Sequence, residues 1–501
     1  MDNLKPHHFI TSLLIFFFIS TYSQSFDGYA LYNKQNNNTA YLIDKDGLIA
    51  HTWSCNVGCC YTVLLKENGN IVRHGKYSSN QLNGAAIGGM VQEIDPSGSI
   101  VWEYVYSTAD YCSHHDITLI GDNVLLTAWE VKSTSELTQG GYDGATSEKW
   151  PTHFVEIEQN GTGGQIVWEW HIWDHLIQDY DASKDNYGVV SDHPELIDVN
   201  MISSAGGPGG GPGGGDWFHV NGIDYNPSLD QIAFSSRHAS EIYIIDHSTT
   251  TAQAATHSGG NSGMGGDILY RWGNPSNYGA NGSQVIPGAV HDVRWIKDGA
   301  PNAGWLQVFN NEGGSGGHSA IDAIETPLSG YNYSITNGQA FSPSSYSWRH
   351  DCLDDADGQS ASDRMSNGNV FVNLSEDYMY EVDASGNLVW QYNGGGPAKA
   401  FRYECAHQGI INLLNNPCGV DITKTAEDQI AVFPNPSNGI FTIDGIEQDN
   451  FTIKIIDTYG KLILEYNNNN TIDLSSYSNG IYFLKITQQN NTLIKRISLI
   501  K

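Results

Sequence analysis

Hydrophobic and polar residues alternate in short paired runs through most of the chain, a pattern typical of antiparallel β-hairpins. Four segments share one form: a strand, a polar turn with glycine, and a second strand that ends in or just after tryptophan. They are YLIDKDGLIAHTW at 41, VQEIDPSGSIVWEY at 91, FVEIEQNGTGGQIVWEW at 154 and MYEVDASGNLVWQY at 379. A looser fifth copy runs from EIYIIDHS at 241 to ILYRWG at 268. Repetition of one hairpin type predicts a radial or stacked all-β architecture.

A second kind of hairpin lies between these copies. Its five examples are YTVLLKENGNIVRHG, HHDITLIGDNVLLTAWE, HVNGIDYNPSLDQIAFSSR, HDVRWIKDGAPNAGWLQVFNN and SDRMSNGNVFVNL, and AHQGIINLL at 406 is interpreted as a sixth start. Two hairpins make one four-stranded blade, so we predict a six-bladed β-propeller over residues 24–418. Insertions near 131–150, 171–216 and 250–267 account for the extra length.

The two ends of the chain differ from this pattern. Residues 1–23 combine Lys5 with the apolar run 9–19 and small residues at 21 and 23, which predicts a signal peptide. No later run approaches the roughly 20 apolar residues that a spanning helix needs, so we expect no transmembrane segment in the mature chain. After a linker at 419–429, residues 430–501 change composition and begin IAVFPNPSNGIFTIDG.

This tail, with its GIYFLKI strand and basic last strand, resembles the C-terminal sorting domain of cargo of the bacterial type IX secretion system. The resemblance implies a small β-sandwich, a secreted or cell-surface location and the type IX machinery as a partner. A carbohydrate-binding β-sandwich is the alternative interpretation.

Charge and cysteine content narrow the classes of partner. Lys and Arg number 24 against 55 Asp and Glu, a formal charge of −31, so nucleic acid is an unfavourable partner. An anionic substrate would need positive charge concentrated in its site. Seven cysteines in an exported chain favour disulfides, with Cys405 and Cys418 as a local pair. A metal site at CNVGCC is disfavoured because no fourth ligand lies at a zinc-like spacing.

The candidate site is built from the inner hairpins. His219 and Arg237 lie equally far from a turn near Ser228, so we expect them to be cross-strand neighbours, with Asn221 on the face of His219. His115 and His291 hold the same first position in their own hairpins, and inner strands of a propeller converge on its channel. Each histidine alone could instead pin a loop by hydrogen bonding. A three-histidine metal site is disfavoured by Arg237, whereas a nucleophilic imidazole beside a fixed cation suits an anionic group.

The segments DWFHVNGIDYNP, DQIAFSSRHASEIYIID, HHDI and VHDVRWI, together with the tryptophan hairpins, resemble the bacterial arylsulfotransferase family over most of residues 25–415. That resemblance implies transfer of a sulfuryl group between phenols through a sulfohistidine, without a nucleotide donor. It implies His291 as nucleophile, with His115, His219, Asn221 and Arg237 holding the group and moving protons. A sulfate-ester hydrolase and a non-catalytic propeller that binds glycans or sulfated polymers remain alternatives.

Several further residues are candidates for substrate contacts. Trp217, Phe218 and Trp173 could stack on the aryl rings, and His407 could be a fourth histidine of the site. Trp170 could do the same or serve only as a packing tryptophan.

The run GGPGGGPGGGDWFHVNG at 206–222 is either a loop over the channel mouth or a plain linker. We expect no cofactor. The turn LDDADGQSASD offers Asp354, Asp355, Asp357 and Asp363 to calcium, although an ordinary acidic turn is favoured because the full calcium-loop pattern is absent.

Overall fold

The computed structural model describes residues 24–202, 215–375, 377–394, 396–415, 417–419, 430–444, 451–457, 461–488 and 491–501. The predicted signal peptide and most of the linker and of the glycine-rich run lie outside these residues. The chain separates into two compact units, one ending at Cys418 and the other beginning at Gly419.

The regular secondary structure of the first unit is almost entirely β-strand. In chain order they are β1 Gly28–Lys34, β2 Thr39–Ile43, β3 Ile49–Ser54, β4 Cys59–Leu65, β5 Ile71–Lys76, β6 Gly89–Ile94, β7 Ile100–Val105, β8 Tyr111–Ile120, β9 Asn123–Glu130, β10 Thr152–Asn160, β11 Gly163–His171, β12 Leu176–Ile177, β13 Ile197–Asp198, β14 Val220–Asn226, β15 Gln231–Ser236, β16 Glu241–Asp246, β17 Ile268–Trp272, β18 His291–Trp295, β19 Leu306–Asn310, β20 Ala320–Ile324, β21 Leu328–Ser329, β22 Asn332–Tyr333, β23 Trp348–Asp351, β24 Ala361–Arg364, β25 Val370–Asn373, β26 Met379–Val382, β27 Leu388–Tyr392 and β28 Pro397–Glu404. The helices are α1 Thr134–Gln139, α2 Thr251–Ala254 and α3 Gln408–Leu413, with single 3₁₀ turns at Ile172–Asp174, Val190–Asp192, Pro275–Tyr278, Ser315–Gly317 and Pro417–Gly419.

Within the described residues, 24 of these strands form six four-stranded antiparallel sheets, while β12 pairs with β13 and β21 pairs with β22 in two-stranded sheets. Five of the six follow the chain, in the orders β4-β5-β6-β7, β8-β9-β10-β11, β14-β15-β16-β17, β18-β19-β20-β23 and β24-β25-β26-β27. The remaining sheet has the order β28-β1-β2-β3, so a strand from the end of the unit pairs with strands from its beginning. The five quoted hairpins of each kind form strand pairs in these sheets.

The segment AHQGIINLL is the exception, because it does not begin a blade. Its residues from Gln408 form helix α3, and the side chain of His407 caps that helix by accepting a hydrogen bond from the Gly409 N–H. The inner strand that the sequence interpretation placed at 406 lies earlier, in β28.

Hydrogen bonds join the first strands of the six sheets into a closed cycle. Four aspartates each accept a backbone N–H from the next first strand at 2.9 to 3.0 Å, namely Asp116 from Ile223, Asp224 from Trp295, Asp292 from Ser362 and Asp363 from Arg402. The Leu65 N–H donates to the Tyr403 hydroxyl at 2.9 Å, and the Thr62 hydroxyl donates to Asp116 at 2.5 Å. The first strands are therefore held around a common centre.

A buried lysine occupies that centre. Lys399 Nζ, on β28, lies 2.6 Å from Asp116 Oδ2 and 2.7 Å from Asp292 Oδ1. These partners come from two other sheets, so one ammonium ties three first strands together. Removing Lys399 would leave both buried carboxylates without their cation, a change that destabilises a fold strongly.

Apolar side chains fill the spaces between neighbouring sheets. The largest cluster includes Phe154, Trp170, Trp217, Phe218 and Phe234, which are all buried. Trp170 packs flat against Phe154, with ring centroids 5.1 Å apart, and donates from Nε1 to the Gly266 carbonyl at 2.7 Å. Trp170 is therefore a packing tryptophan, as one of the two sequence interpretations held.

The predicted Cys405–Cys418 disulfide is confirmed, with the two Cα atoms 6.0 Å apart. The other five cysteines, all within the described residues, are unpaired and buried: Cys55, Cys59, Cys60, Cys112 and Cys352. Burial raises the pKa of each of these thiols, which keeps them protonated and unreactive. Among the described residues, no helix has the length and apolar character needed to cross a bilayer.

The second unit contains two antiparallel sheets. Its strands are β29 Ala431–Phe433, β30 Ile440–Asp444, β31 Phe451–Asp457, β32 Leu462–Asn467, β33 Thr471–Asp473, β34 Gly480–Gln488 and β35 Asn491–Leu499. The sheet orders are β29-β30-β33 and β32-β31-β34-β35, and the described strands share one apolar core.

Candidate active site

Irregular backbone marks the first strands that carry the predicted histidines. The pairing register shifts within β8, β14 and β18, close to His115, His219 and His291. His115, His219 and Asp292 have φ values of 46°, 52° and 52°, in the left-handed region that residues other than glycine rarely adopt. Such strain costs on the order of 1–3 kcal/mol per residue and is concentrated at functional sites, where bulges redirect side chains.

His291 is held in a single orientation by two oxygen acceptors. Its Nδ1 lies 2.7 Å from the Ala289 carbonyl oxygen and 2.8 Å from Asn311 Oδ1. The Asn311 amide nitrogen donates to the Ala356 carbonyl at 2.8 Å, which fixes the amide oxygen towards His291. Since both partners of Nδ1 only accept, Nδ1 carries the proton and Nε2 carries the lone pair. The ring is 2 % exposed.

The ionisation state of His291 follows from its surroundings. Burial, together with the nearby Arg237 guanidinium, lowers its pKa to about 3. A β-carbon added to Gly358 would lie 3.0 Å from Arg237 Nη1 and 3.8 Å from His291 Cε1, so this glycine borders both side chains. His291 is therefore neutral near pH 7 and lies close to a permanent positive charge.

Arg237 has unused hydrogen-bonding capacity. Its backbone N–H donates to the His219 carbonyl at 3.1 Å, which confirms the cross-strand pairing expected from the sequence. Its Nη1 and Nη2 reach only the Asp357 carbonyl, each at 3.3 Å. Among the described residues, the buried Nε–H has no hydrogen-bond partner. A cation with free donors suits an anionic ligand.

His219 is oriented by Asp216. Its Nδ1 lies 2.7 Å from Asp216 Oδ2, and Oδ1 of the same carboxylate accepts the Trp129 indole N–H at 3.1 Å. Burial would raise the pKa of Asp216, but the charge and the hydrogen bond of the His219 side chain outweigh this effect, so the pKa is lowered overall. An ionised Asp216 requires Nδ1 of His219 to be the donor, so Nε2 carries the lone pair when the ring is neutral. The arrangement matches the carboxylate–histidine pair of acid–base catalysis.

His115 packs edge-on against His219, with ring centroids 4.6 Å apart. Its Nδ1 lies 2.8 Å from His114 Nδ1, so one of the two nitrogens donates and the other accepts. Burial, followed by the nearby His219, lowers the pKa of His115 well below the ordinary value. The Tyr61 ring lies 5.4 Å from the His115 ring, and its buried hydroxyl has no partner among the described residues.

Asn221 is engaged with the protein. Its amide nitrogen donates to the Val290 carbonyl at 2.8 Å, and its amide oxygen accepts the Ser235 hydroxyl at 2.7 Å. Because Val290 directly precedes His291, this contact supports the strand that carries His291. A surface cavity of about 470 Å³, lined by residues 355–359 with Ser375 and Asp377, adjoins Arg237 through Asp357.

The structure brings together His115, His219, Arg237 and His291, but not the predicted substrate contacts. Trp217 and Phe218 are 3 % and 0 % exposed and belong to the apolar core, so neither presents a free ring face. Trp173 packs on the same core and lies 5.5 Å from Lys132 Nζ. The sequence pattern could not separate these core aromatic residues from a stacking surface.

His407 also lies apart from the other histidines. It borders a different cavity, of about 390 Å³, together with Lys297, Arg364 and Arg402. Lys297 follows β18 at the end opposite His291, so the cavity and the histidine cluster lie at different ends of that strand. The role of His407 in the structure is to cap α3.

The four aspartates weighed as calcium ligands, Asp354, Asp355, Asp357 and Asp363, do not converge. Asp363 lies on β24 and pairs with Arg294 at 2.7 Å, whereas Asp355 accepts the Ser319 hydroxyl at 3.2 Å. Within the described part of the chain, no three of the four carboxylates come close enough to share an ion.

Comparison with known proteins decides the family. The model of the family described as arylsulfotransferase (ASST) matches residues 16–339, which is more than half of the chain. The chain belongs to the arylsulfotransferase family. Residues 431–501 match the secretion system C-terminal sorting domain, which supports secretion through the type IX system. Both resemblances drawn from the sequence are thereby confirmed.

Other similarities are more distant. The chain is 24 % identical over 138 residues to an endo-acting ulvan lyase of Formosa agariphila, a match that covers 26 % of this chain and 27 % of the lyase. A solved protein of unknown function from Bacteroides caccae has a TM-score of 0.41 and 11 % identity, covering 75 % of this chain and 98 % of that one. A protein from Lactobacillus plantarum has a TM-score of 0.37 and 11 % identity, covering 94 % and 99 %.

The candidate site of this family member includes residues that the sequence analysis missed. Asp216 stands three positions before His219 in DWFH, and this spacing was an available signal. Asn311 ends the VFNN run, directly after the strand paired with that of His291. Tyr61 and Lys399 carry no local signal, because only the ring of sheets brings them close to the histidines.

Proposed function

We propose that this arylsulfotransferase moves a sulfuryl group from an aryl sulfate ester to a phenol through a sulfohistidine at His291. The observation that carries the proposal is the state of His291: its Nδ1 proton is held by two acceptors, and its Nε2 lone pair is available beside Arg237. A neutral nucleophile next to a fixed cation is what attack on an anionic ester requires.

In the first step, Nε2 of His291 attacks the ester sulfur. The nitrogen–sulfur bond forms, the aryl oxygen–sulfur bond breaks, and its electron pair leaves with the phenolate. The guanidinium and free Nε–H of Arg237 offset the negative charge of the sulfuryl oxygens. The ring of His291 gains positive charge as the bond forms, and the acceptors at Nδ1, Ala289 O and Asn311 Oδ1, stabilise that charge.

In the second step, an acceptor phenol takes the sulfuryl group. Nε2 of His219 removes the phenol proton, the phenol oxygen attacks sulfur, and the nitrogen–sulfur electron pair returns to His291. Asp216 holds Nδ1–H of His219 and stabilises the imidazolium that forms. The proton then passes to the phenolate released in the first step, so the balance closes without a further reactant. His115 completes the hydrogen-bonding surface around the sulfuryl group, and Asn221 positions the His291 strand.

The proposal includes the architecture and the fate of the chain. Residues 24–418 form a six-bladed propeller with the site at its centre, an assignment supported by the six sheets and the closed cycle of hydrogen bonds between their first strands. Residues 430–501 form a small β-sandwich that directs export after removal of the signal peptide at 1–23. The protein acts outside the cell or on its surface, on small aromatic sulfate esters and phenols.

Turnover of 4-nitrophenyl sulfate with and without added phenol tests the proposal. Sustained release of 4-nitrophenol, beyond one equivalent per chain, should require phenol, and release should be lost in His291→Asn. His193→Asn is the matched control, because His193 is exposed and contacts only Glu195. Sustained release without phenol would indicate hydrolysis. Equal release by wild type and His291→Asn would refute the assigned nucleophile.

A further inference from the structure

A group of titratable side chains lies outside the histidine cluster, where two insertions meet. Among the described residues, two sets of three side chains have ligand atoms within 4.8 Å of one another. One set includes Cys405 and Cys418, whose sulfurs are joined in the disulfide and are not thiolate ligands. The other set is His175, His257 and Asp267, and no part of the sulfuryl-transfer proposal uses it.

His175 is oriented as a metal-binding histidine is. It is fully buried, its ring stacks on Trp170 with centroids 5.5 Å apart, and its Nε2 lies 2.8 Å from the Ala254 carbonyl oxygen. A carbonyl only accepts, so Nε2 carries a proton. In the neutral ring, Nδ1 then carries the lone pair. Histidines that bind metals usually donate their second nitrogen to a carbonyl or carboxylate in this way.

The lone pair of His175 faces two further ligand atoms. Nδ1 lies 2.8 Å from Asp267 Oδ1, and that oxygen also lies 2.8 Å from His257 Nδ1. The Nδ1 lone pair of His175 and the carboxylate oxygen of Asp267 would repel each other at 2.8 Å, so a cation must lie between them. That cation is either a proton or a metal ion. Asp267 is nearly buried, whereas the His257 side chain is 63 % exposed, so one side of the set is open to water.

The surrounding chain is closely fitted to this set. A β-carbon on Gly266 would lie 2.0 Å from the Ala254 carbonyl oxygen and 2.6 Å from His175 Nε2, so only glycine is accommodated there. Asp267 directly precedes β17, whose Ile268 N–H donates to the Glu195 carbonyl at 3.0 Å. The three side chains therefore connect the insertion after β11 with the insertion between β16 and β17.

We propose that His175, His257 and Asp267 bind a zinc ion that fastens these two insertions together. Two imidazole nitrogens and one carboxylate oxygen, with a fourth position open to water, form a ligand set that zinc favours. The ion would displace the shared proton, and the exposed His257 would adjust as the ligand atoms move apart to zinc-binding distances. The site is independent of the sulfuryl-transfer chemistry.

Calorimetric titration of the chelator-treated full chain with Zn²⁺ tests this site. We expect one ion per chain, affinity reduced by more than about tenfold in His257→Ala, and unchanged affinity in His193→Ala. The melting temperature should rise on Zn²⁺ addition in wild type and His193→Ala and not in His257→Ala. His257 is exposed, so its replacement leaves the fold intact.

Absence of Zn²⁺ binding by the wild type would overturn the proposal and leave a hydrogen-bonded triad. Equal binding by wild type and His257→Ala would overturn it as well, because the ion would then be held elsewhere, for example by the active-site histidines. The burst of phenol release from an aryl sulfate should be the same in His257→Ala and wild type, which separates this test from that of the proposed function.

Discussion

Lowering the pH from 7.5 to 5.5 should leave the rate of sulfuryl transfer to His291 almost unchanged. An imidazole with the ordinary pKa of 6.5 is about nine-tenths neutral at pH 7.5 and about one-tenth neutral at pH 5.5, so a nucleophile of that kind would slow about tenfold. Burial and Arg237 lower the pKa of His291 to about 3, which keeps it neutral at both values. No proton moves in this step, since the leaving group departs as phenolate.

The assay is the pre-steady-state burst of 4-nitrophenol in the absence of acceptor, quenched in alkali so that product is measured at one pH. Circular dichroism at each pH confirms that the protein is folded. A burst rate that changes less than about twofold supports the reasoning. A fall of about tenfold, with an apparent pKa near 6.5, would show that the nucleophile is not held neutral by the site and would refute it.

Three other results are expected. Burial lowers the pKa of His114, His153 and His291 to about 3, so below pH 6.5 the unfolded chain takes up protons that the folded chain excludes. Between pH 7.5 and pH 5.5 each of these histidines should lower the free energy of unfolding by about 1.4 kcal/mol, or about 4 kcal/mol together. An unchanged free energy of unfolding in urea denaturation at these two pH values would contradict this. Arg237→Gln should slow the burst about 10²–10³-fold while changing the melting temperature little, because Arg237 makes only two long contacts; a large loss of stability would indicate a structural role. Cys405→Ser should lower the free energy of unfolding by about 3 kcal/mol, and an unchanged denaturation midpoint would show that the loop is constrained by other contacts.

The hairpins were predictable because alternation with period two and glycine turns are local signals. The pairing that closes the cycle of sheets could not be predicted from local signals. In it β1 pairs with β28 across more than 360 residues, and nothing in either strand specifies the partner. The segment after Ala406 was misassigned for a physical reason that the sequence contains. Its apolar residues at 410, 411, 413 and 414 fit a helical spacing, and His407 caps the helix.

Part of the site was predictable in the same way. Equal distances from one turn placed His219 opposite Arg237, and the backbone bond between them confirms this pairing. The bulges near His115, His219 and His291 were not predictable, because they depend on packing between neighbouring first strands. Trp217 and Phe218 were assigned to substrate on residue type alone, whereas burial decides that they belong to the core.

Trapping the covalent enzyme tests the central claim most directly. The full chain is mixed with 4-nitrophenyl sulfate without acceptor, quenched under alkaline conditions that preserve a nitrogen–sulfur bond, digested and analysed by mass spectrometry. We predict one sulfuryl group per chain, on the peptide that contains His291, absent from His291→Asn and discharged by added phenol. A sulfuryl group on a different residue, or a full burst of 4-nitrophenol with no modified peptide, would contradict the assignment of His291 as the nucleophile.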